Sequence, residues 1–281
     1  LYLLSKALAP SGVGTLLPLR LDTTLSFFTL TFFFSMLFIY SQKILIFLYA
    51  SRNMYFSRGY EKRCKKIVDG VYYFGESGML DCNQYVLQSK NGDLTMIDAG
   101  NGKSFDGMVE SMKKNGLDIK NIKKIILTHE HVDHITGIYR IKKEFKENMP
   151  ELIAVKPTAE IIKNSNEDAV FPRGLGLTAE QFGVEMEKLD CTVVKEGDEI
   201  NCGDFVLNVL ETPGHSIGSA TYIEPKFGII FPGDVVFPGG SFGRYDFPGG
   251  NKNILKASIQ RLCSYKSLNY LCAGHMAFES N

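Results

Sequence analysis

The sequence predicts an α+β fold, two β-sheets with helices packed outside them, on three observations. From Met54 to Asn281, short runs of β-branched and aromatic residues alternate with stretches of helical periodicity, strands then helices, twice over. Apolar residues make up 44% of the 281-residue chain, ample for a packed core. The same stretch holds no sequence repeat and no low-complexity linker, so residues 54–281 are expected to form one domain.

The runs GVYYFG, CNQYVLQS and DLTMIDAG, broken by Gly, Asn and Asp as hairpins are, predict an antiparallel meander. Ser104 is placed to cap a helix running to Asn115, with Gly116 just past its end and Met108, Val109 and Met112 as its apolar stripe. IKKIILT reads as a buried strand. A second helix is expected from about Ile135 to Glu147, with Ile138, Ile141 and Phe145 on one face and Pro150 stopping it. LIAV follows as another apolar run, and NSNEDAVFPRGLGLT reads as a surface loop. A second block of strands begins near CTVVKEGDEI and continues through FVLNVLET, SATYIEP and FGIIF. A helix from Lys252 to Leu262 and a strand near NYLCAGH close the chain.

Residues 1–53 are of another kind. Leu25 to Ala50 carries one charge, Lys43, and is long enough to cross a bilayer, which takes ~20 apolar residues. As a membrane anchor it would leave the following domain on the cytoplasmic side, because Arg52, Arg58, Lys62, Arg63, Lys65 and Lys66 follow it. The competing reading, which we favour, is AT-rich DNA translated upstream of a start at Met54, which makes the protein cytoplasmic. The six cysteines form no C-x-x-C pair, as expected of buried thiols in a reducing compartment. Lys plus Arg and Asp plus Glu are both 31, so the chain has no electrostatic footprint for nucleic acid, and a small molecule is the expected partner. The sequence is silent on oligomeric state.

Chemistry concentrates in ILTHEHVDHITG, residues 126–137, which holds three of the five histidines. His129, His131, Asp133 and His134 fall on the loop between the buried strand and the next helix, where a rigid sheet commonly presents a site. Alternate residues of an extended loop project the same way, so His129 and His131 can grip one cation while Asp133 and His134 face a second. Glu130, between two ligands, is expected to point away. The other two histidines, His215 in ETPGHSIGS and His275 in LCAGH, also follow strands, as does Asp234 in GIIFPGDVVF. A lone histidine at a strand end is usually structural, but five such positions with two aspartates indicate metal binding.

The H-x-H-x-D-H run, the P-G-H turn, the G-D after a strand and the final G-H occur in that order and resemble the metallo-β-lactamase superfamily from about Val71 to His275. The resemblance implies a four-layer αββα sandwich with a dinuclear site at one edge. It places His129, His131 and His215 on a first metal, Asp133, His134 and His275 on a second, and Asp234 between both. Asp98 in MIDAG matches an aspartate that orients a ligand histidine. True β-lactamases of this fold generally carry cysteine where Asp234 stands, which disfavours antibiotic hydrolysis. GSFGRYDFPGGN, residues 240–251, is similar to single-domain relatives of glyoxalase II, the hydroxyacylglutathione hydrolases. Six residues follow His275, so either the chain is truncated or the likeness is to the short branch, which leaves the thiol half of the substrate open. Arg244 is expected to pair with a substrate carboxylate or internally with Asp246 or Asp234.

The implied enzyme is a metallo-hydrolase with two divalent ions, zinc first and iron or manganese as alternatives, attacking a small thioester with a hydroxide bridging the metals. Asp133 or Asp234 would pass a proton to the leaving group. A lactonase needs the same support. A mononuclear iron dioxygenase of the persulfide-oxidising kind would use His129, His131 or His215 with Asp234 and leave Asp133, His134 and His275 unexplained. A nuclease lacks a basic surface, and a non-catalytic metal-binding module would be marked by a missing ligand position.

Overall fold

A computed structural model describes residues 64–171 and 176–280; the apolar stretch 25–50, and with it the anchor reading, lies outside them. Among the described residues no helix is long and apolar enough to cross a membrane. The first sheet has seven strands in chain order: β1 (Cys64–Val68), β2 (Val71–Phe74), β3 (Gln84–Gln88), β4 (Leu94–Ile97), β5 (Ile122–Ile126), β6 (Glu151–Val155) and β7 (Thr192–Val194). β1 to β4 run antiparallel, and β4 to β7 are parallel. Parallel neighbours need crossover connections. These carry helices α1 (Phe105–Lys114), α2 (Val132–Ile135), α3 (Gly137–Phe145), α4 (Lys156–Asn164), α5 (Glu167–Val170) and α6 (Ala179–Phe182). The second sheet contains β8 (Glu199–Cys202), β9 (Phe205–Glu211), β10 (Ala220–Glu224) and β11 (Ile229–Gly233), then, after helix α7 (Lys252–Leu262), β12 (Tyr270–Ala273) and β13 (Glu279–Ser280). Its strands are antiparallel except for the β11–β12 pair.

Burial makes this a four-layer αββα sandwich. Alternate side chains of β9, Phe205, Leu207 and Val209, meet Tyr85, Ile97, Ile126 and Ile153 of the first sheet in the inner core. The opposite face of the first sheet, with Val86, Met96 and Ile125, packs under Met108 and Met112 of α1, Ile138 and Ile141 of α3 and Ile162 of α4. On the far side, Leu210, Ile223 and Ile230 are covered by Leu255 and Leu262 of α7. Tyr222 of β10 crosses between the sheets and donates its hydroxyl proton to the Leu127 carbonyl at 2.8 Å, tying the second sheet to the strand end that launches the histidine loop. Tyr222→Phe orphans that buried carbonyl and is expected to cost ~1–2 kcal/mol, read from the denaturant midpoint at unchanged m-value.

Several expectations need correction. Ser104 stands at the α1 N-cap, but its side chain makes no cap bond, and the inward face is Phe105, Met108, Ser111 and Met112 with Val109 at its margin. The helix expected over 135–147 starts earlier, at Val132, is interrupted at Thr136, and ends where Lys146 takes a positive φ of 51°. The supposed loop NSNEDAVFPRGLGLT contains α5 and buries Val170 and Phe171 against α6. The signals there were caps: the Asn166 side chain accepts from Ala169 N, and Thr178 and Gln181 form a capping box that starts α6. Helix α4, with Pro157 in its first turn, was missed as well. CTVV belongs to the first sheet as β7, so the second block begins at β8. Cys263 is exposed rather than buried.

Candidate metal centre

Five strand ends meet at one edge of the sandwich. Asp98 follows β4, the loop from His129 to His134 follows β5 and enters α2, His215 follows β9, Asp234 follows β11 and His275 follows β12. The ligating atoms form overlapping groups, each within 4.8 Å: His129, His131 and His215; His129, His134 and Asp234; and Asp133, His134 and His275.

Hydrogen bonds fix which ring nitrogens point inward. Asp98, held in the left-handed region at φ 57°, accepts from Thr128 N at 2.7 Å, from Thr128 Oγ1 at 2.8 Å and from His134 Nδ1 at 2.8 Å. Having given its proton to Asp98, the Thr128 hydroxyl accepts from His129 Nδ1 at 3.1 Å. His215 Nδ1 donates to the Arg244 carbonyl at 2.6 Å, and His275 Nδ1 donates to Glu76 at 2.7 Å. Four of the rings are thereby held by Nδ1, and each turns Nε2 into the cluster. His129 Nε2 and His215 Nε2 face each other at 3.2 Å, two lone pairs that cannot hydrogen-bond. His134 Nε2 and Asp234 Oδ1 are buried without a hydrogen-bond partner. Orphaned acceptors converging in this way fit a cation, and His with carboxylate is a donor set that zinc, iron and manganese all accept.

Electrostatics agree. Burial pushes His129 well below the ordinary histidine range, lowers His131, and brings His215 to about 4, so these three are neutral and ready to ligate at pH 7. For His134 burial acts downward too, but Cys82, Asp234, Asp98 and Asp133 outweigh it and lift the ring well above the usual range. His275 is likewise driven up to about 12 against its burial, by Asp234, Asp133 and Glu76. Burial raises Asp133 and Asp234, yet the neighbouring imidazoles win and hold both carboxyls low. The cluster therefore demands positive charge, which protons or a metal can supply. A further cluster of Cys82, Asp98 and His134 uses the nitrogen already engaged by Asp98, so it belongs to the support of the site.

Asp234 lies between the groups, its Oδ1 3.3 Å from His134 Nε2 and its Oδ2 3.6 Å from His215 Nε2 and 3.3 Å from His275 Nε2. Asp133 Oδ2 is 3.2 Å from His275 Nε2. Glu130 points away, accepting from Thr158 Oγ1 and Ser216 Oγ at 3.0 Å and Gly218 N at 3.3 Å. Arg244 pairs with Asp246, Nε to Oδ1 at 2.9 Å and Nη2 to Oδ2 at 2.6 Å, and stacks over Phe247; the alternative pairing with Asp234 is not made. Glu76, which orients His275, was not legible: it sits alone in a Gly-rich turn, and its partner is 199 positions away.

Gly274 and Gly243 let backbone reach the donors. A Cβ at Gly274 would strike Asp234 Oδ1 and stand 2.7 Å from His134 Cε1, and one at Gly243 would strike the Asp234 carbonyl and stand 2.7 Å from His215 Nδ1. Gly274→Ala is expected to weaken metal binding at least ~10-fold by displacing Asp234, measurable by competition with a chromophoric chelator. In front of the donors opens a cavity of about 460 Å³ lined by Leu80, His131, Asp133, Leu177, Phe237, Phe242, Arg244 and Phe247 among others.

Comparison with known proteins accords with this geometry. A family profile described as metallo-beta-lactamase superfamily matches residues 77–275. A probable metallo-hydrolase, YqgX of Bacillus subtilis, is 32% identical over 200 residues, 70% of this chain and 86% of that protein. Hydroxyacylglutathione hydrolase GloC of Haemophilus influenzae is 30% identical over 164 residues, 57% of this chain and 71% of that protein. Among solved structures, TTHA1623 in a di-iron-bound form superposes with a TM-score of 0.58 at 26% identity, covering 73% of this chain and 92% of that one. The BLEG-1 B3 metallo-beta-lactamase gives a TM-score of 0.60 at 24% identity, covering 75% and 93%, a likeness of fold. With its sandwich, its strand-end His and Asp groups and a matching profile over most of its length, this chain belongs to the metallo-β-lactamase superfamily.

Proposed function

We propose that the protein is a dinuclear metallo-hydrolase that cleaves small thioesters, as glyoxalase II does. The observation that carries the reading is Asp234 within reach of both donor groups, with His134 Nε2 and Asp234 Oδ1 orphaned between them. His129, His131 and His215 would hold one ion and Asp133, His134 and His275 the other, with Asp234 shared. When bound, the ions supply Lewis acidity for ionising a water and polarising a carbonyl.

The chain's own residues do the remainder. Asp98, Thr128, Glu76 and the Arg244 carbonyl lock the four imidazole tautomers, so no reorientation is needed on loading. The cavity in front of the donors would receive the substrate. In the overall reaction the oxygen of water bonds to the carbonyl carbon and the C–S bond breaks, giving acid and thiol. Asp133, ionised at the cavity wall, would take a proton from the attacking water and return it to the departing sulfur. Similarity to a hydroxyacylglutathione hydrolase supports a thioester over a lactone. Zinc is the first choice because hydrolysis needs no redox change, and the di-iron form of a structural neighbour keeps iron in view.

The test is thiol release from S-lactoylglutathione and from S-acetyl-N-acetylcysteamine by the full chain loaded with zinc, beside Asp133→Ala. Turnover of either that the variant loses supports the reading. Neither thioester releasing thiol, from folded protein carrying two ions, overturns it.

A further inference from the structure

The walls of the cavity differ in character from its floor. The floor is the donor cluster, while the walls are apolar: Leu80, Val132, Leu177, Phe237, Phe242 and Phe247. Two of these side chains are held against water at a cost: Phe242 is 52% exposed and Leu80 39%. Phe237 and Phe247 flank the donors directly, the Phe237 ring 5.8 Å from His275 and the Phe247 ring 5.5 Å from His131. Among the described lining residues the carboxylates are Glu76, Asp81, Asp133 and Asp234, and the one Lys or Arg is Arg244, engaged by Asp246 in a two-point pair.

We infer that the acyl half of the substrate is an apolar chain of medium length, seated against Phe237, Phe242, Phe247 and Leu177. This rests on the thioester reading above and narrows its substrate class. A volume of about 460 Å³ lies within the usual range for small-ligand sites and exceeds what a lactoyl group fills. Each methylene that leaves water for such a wall is worth about fourfold in affinity, so two or more seated methylenes give at least ~10-fold. The chemistry is unchanged: water adds at the carbonyl carbon, the C–S bond breaks, and the thiol leaves with a proton.

The experiment compares S-octanoyl- with S-acetyl-N-acetylcysteamine on the full-length, metal-loaded protein, so that the leaving group is constant. In parallel, calorimetry compares binding of octanoate with acetate. The expected result is kcat/KM at least ~10-fold higher for the octanoyl ester and octanoate bound at least ~10-fold tighter, with both preferences reduced in Phe242→Ser at unchanged metal content. Turnover of both esters with a ratio near one overturns the acyl assignment and leaves the thioester reading standing. Octanoate binding no tighter than acetate overturns it whether or not any thioester is cleaved. Tight octanoate binding without turnover of either ester sinks the thioester reading and keeps the apolar subsite.

Discussion

Asp234→Asn is expected to lower kcat/KM by about 10³-fold and to reduce bound metal from two ions per chain to one or none. The substitution keeps the shape of the side chain and removes its charge. That charge is shared, because the two oxygens lie 3.3–3.6 Å from His134, His275 and His215, which belong to both donor groups. The imidazoles that hold its carboxyl well below the usual range would face a neutral amide instead, and an amide NH2 would oppose a cation. Metal content by plasma emission after gel filtration, with kcat/KM on the same sample, decides the matter. Two tightly held ions in the variant would show that Asp234 is dispensable to the centre.

Glu130→Ala is expected to destabilise the protein by about 3 kcal/mol, lowering Tm by ~6–12 °C, although the residue faces away from the donors. Its carboxylate is buried and gathers Thr158 of α4 with Ser216 and Gly218 of the turn after His215. Alanine leaves Gly218 N unsatisfied and reduces Thr158 Oγ1 and Ser216 Oγ to their weaker alternatives, the Gly218 carbonyl and Ser219 Oγ. Glu130 is itself flanked by His129 and His131, so the same bonds clamp the His215 turn to the histidine loop. Metal affinity should therefore fall ~10-fold alongside stability. Calorimetric melting of the metal-free protein separates the two effects. A Tm unchanged in the metal-free variant would mean that Thr158, Ser216 and Gly218 find other partners and that the clamp is incidental.

The donor residues were legible because the chemistry is written locally. H-x-H-x-D-H carries four of the seven within one loop, and strand-then-turn patterns mark His215, Asp234 and His275. The layer order was legible for a similar reason, since alternation along FVLNVLE and periodicity along α1 and α3 are read within a few residues. Some short helices escaped that reading. Helices α5 and α6 are too short for an apolar stripe to stand out, and their caps at Asn166 and Thr178 were the only local sign, whereas α4, as long as α3, was marked only by Pro157 in its first turn. The placement of CTVV failed on topology: β7 pairs in parallel with β6 across a long crossover, and no local pattern says which sheet receives it.

By itself the sequence determined the strand and helix inventory of the long elements and the identity of the metal-binding candidates, because periodicity and side-chain chemistry are properties of near neighbours. Only the tertiary structure decided which nitrogen of four of the histidines points inward, that Glu76 holds His275 while Glu130 bonds the turn after His215, that Arg244 is engaged by Asp246, and that the cavity walls are apolar. Those facts depend on groups up to 199 positions apart in the chain, brought together by sheet pairing and core packing, and neither leaves a mark on the local pattern.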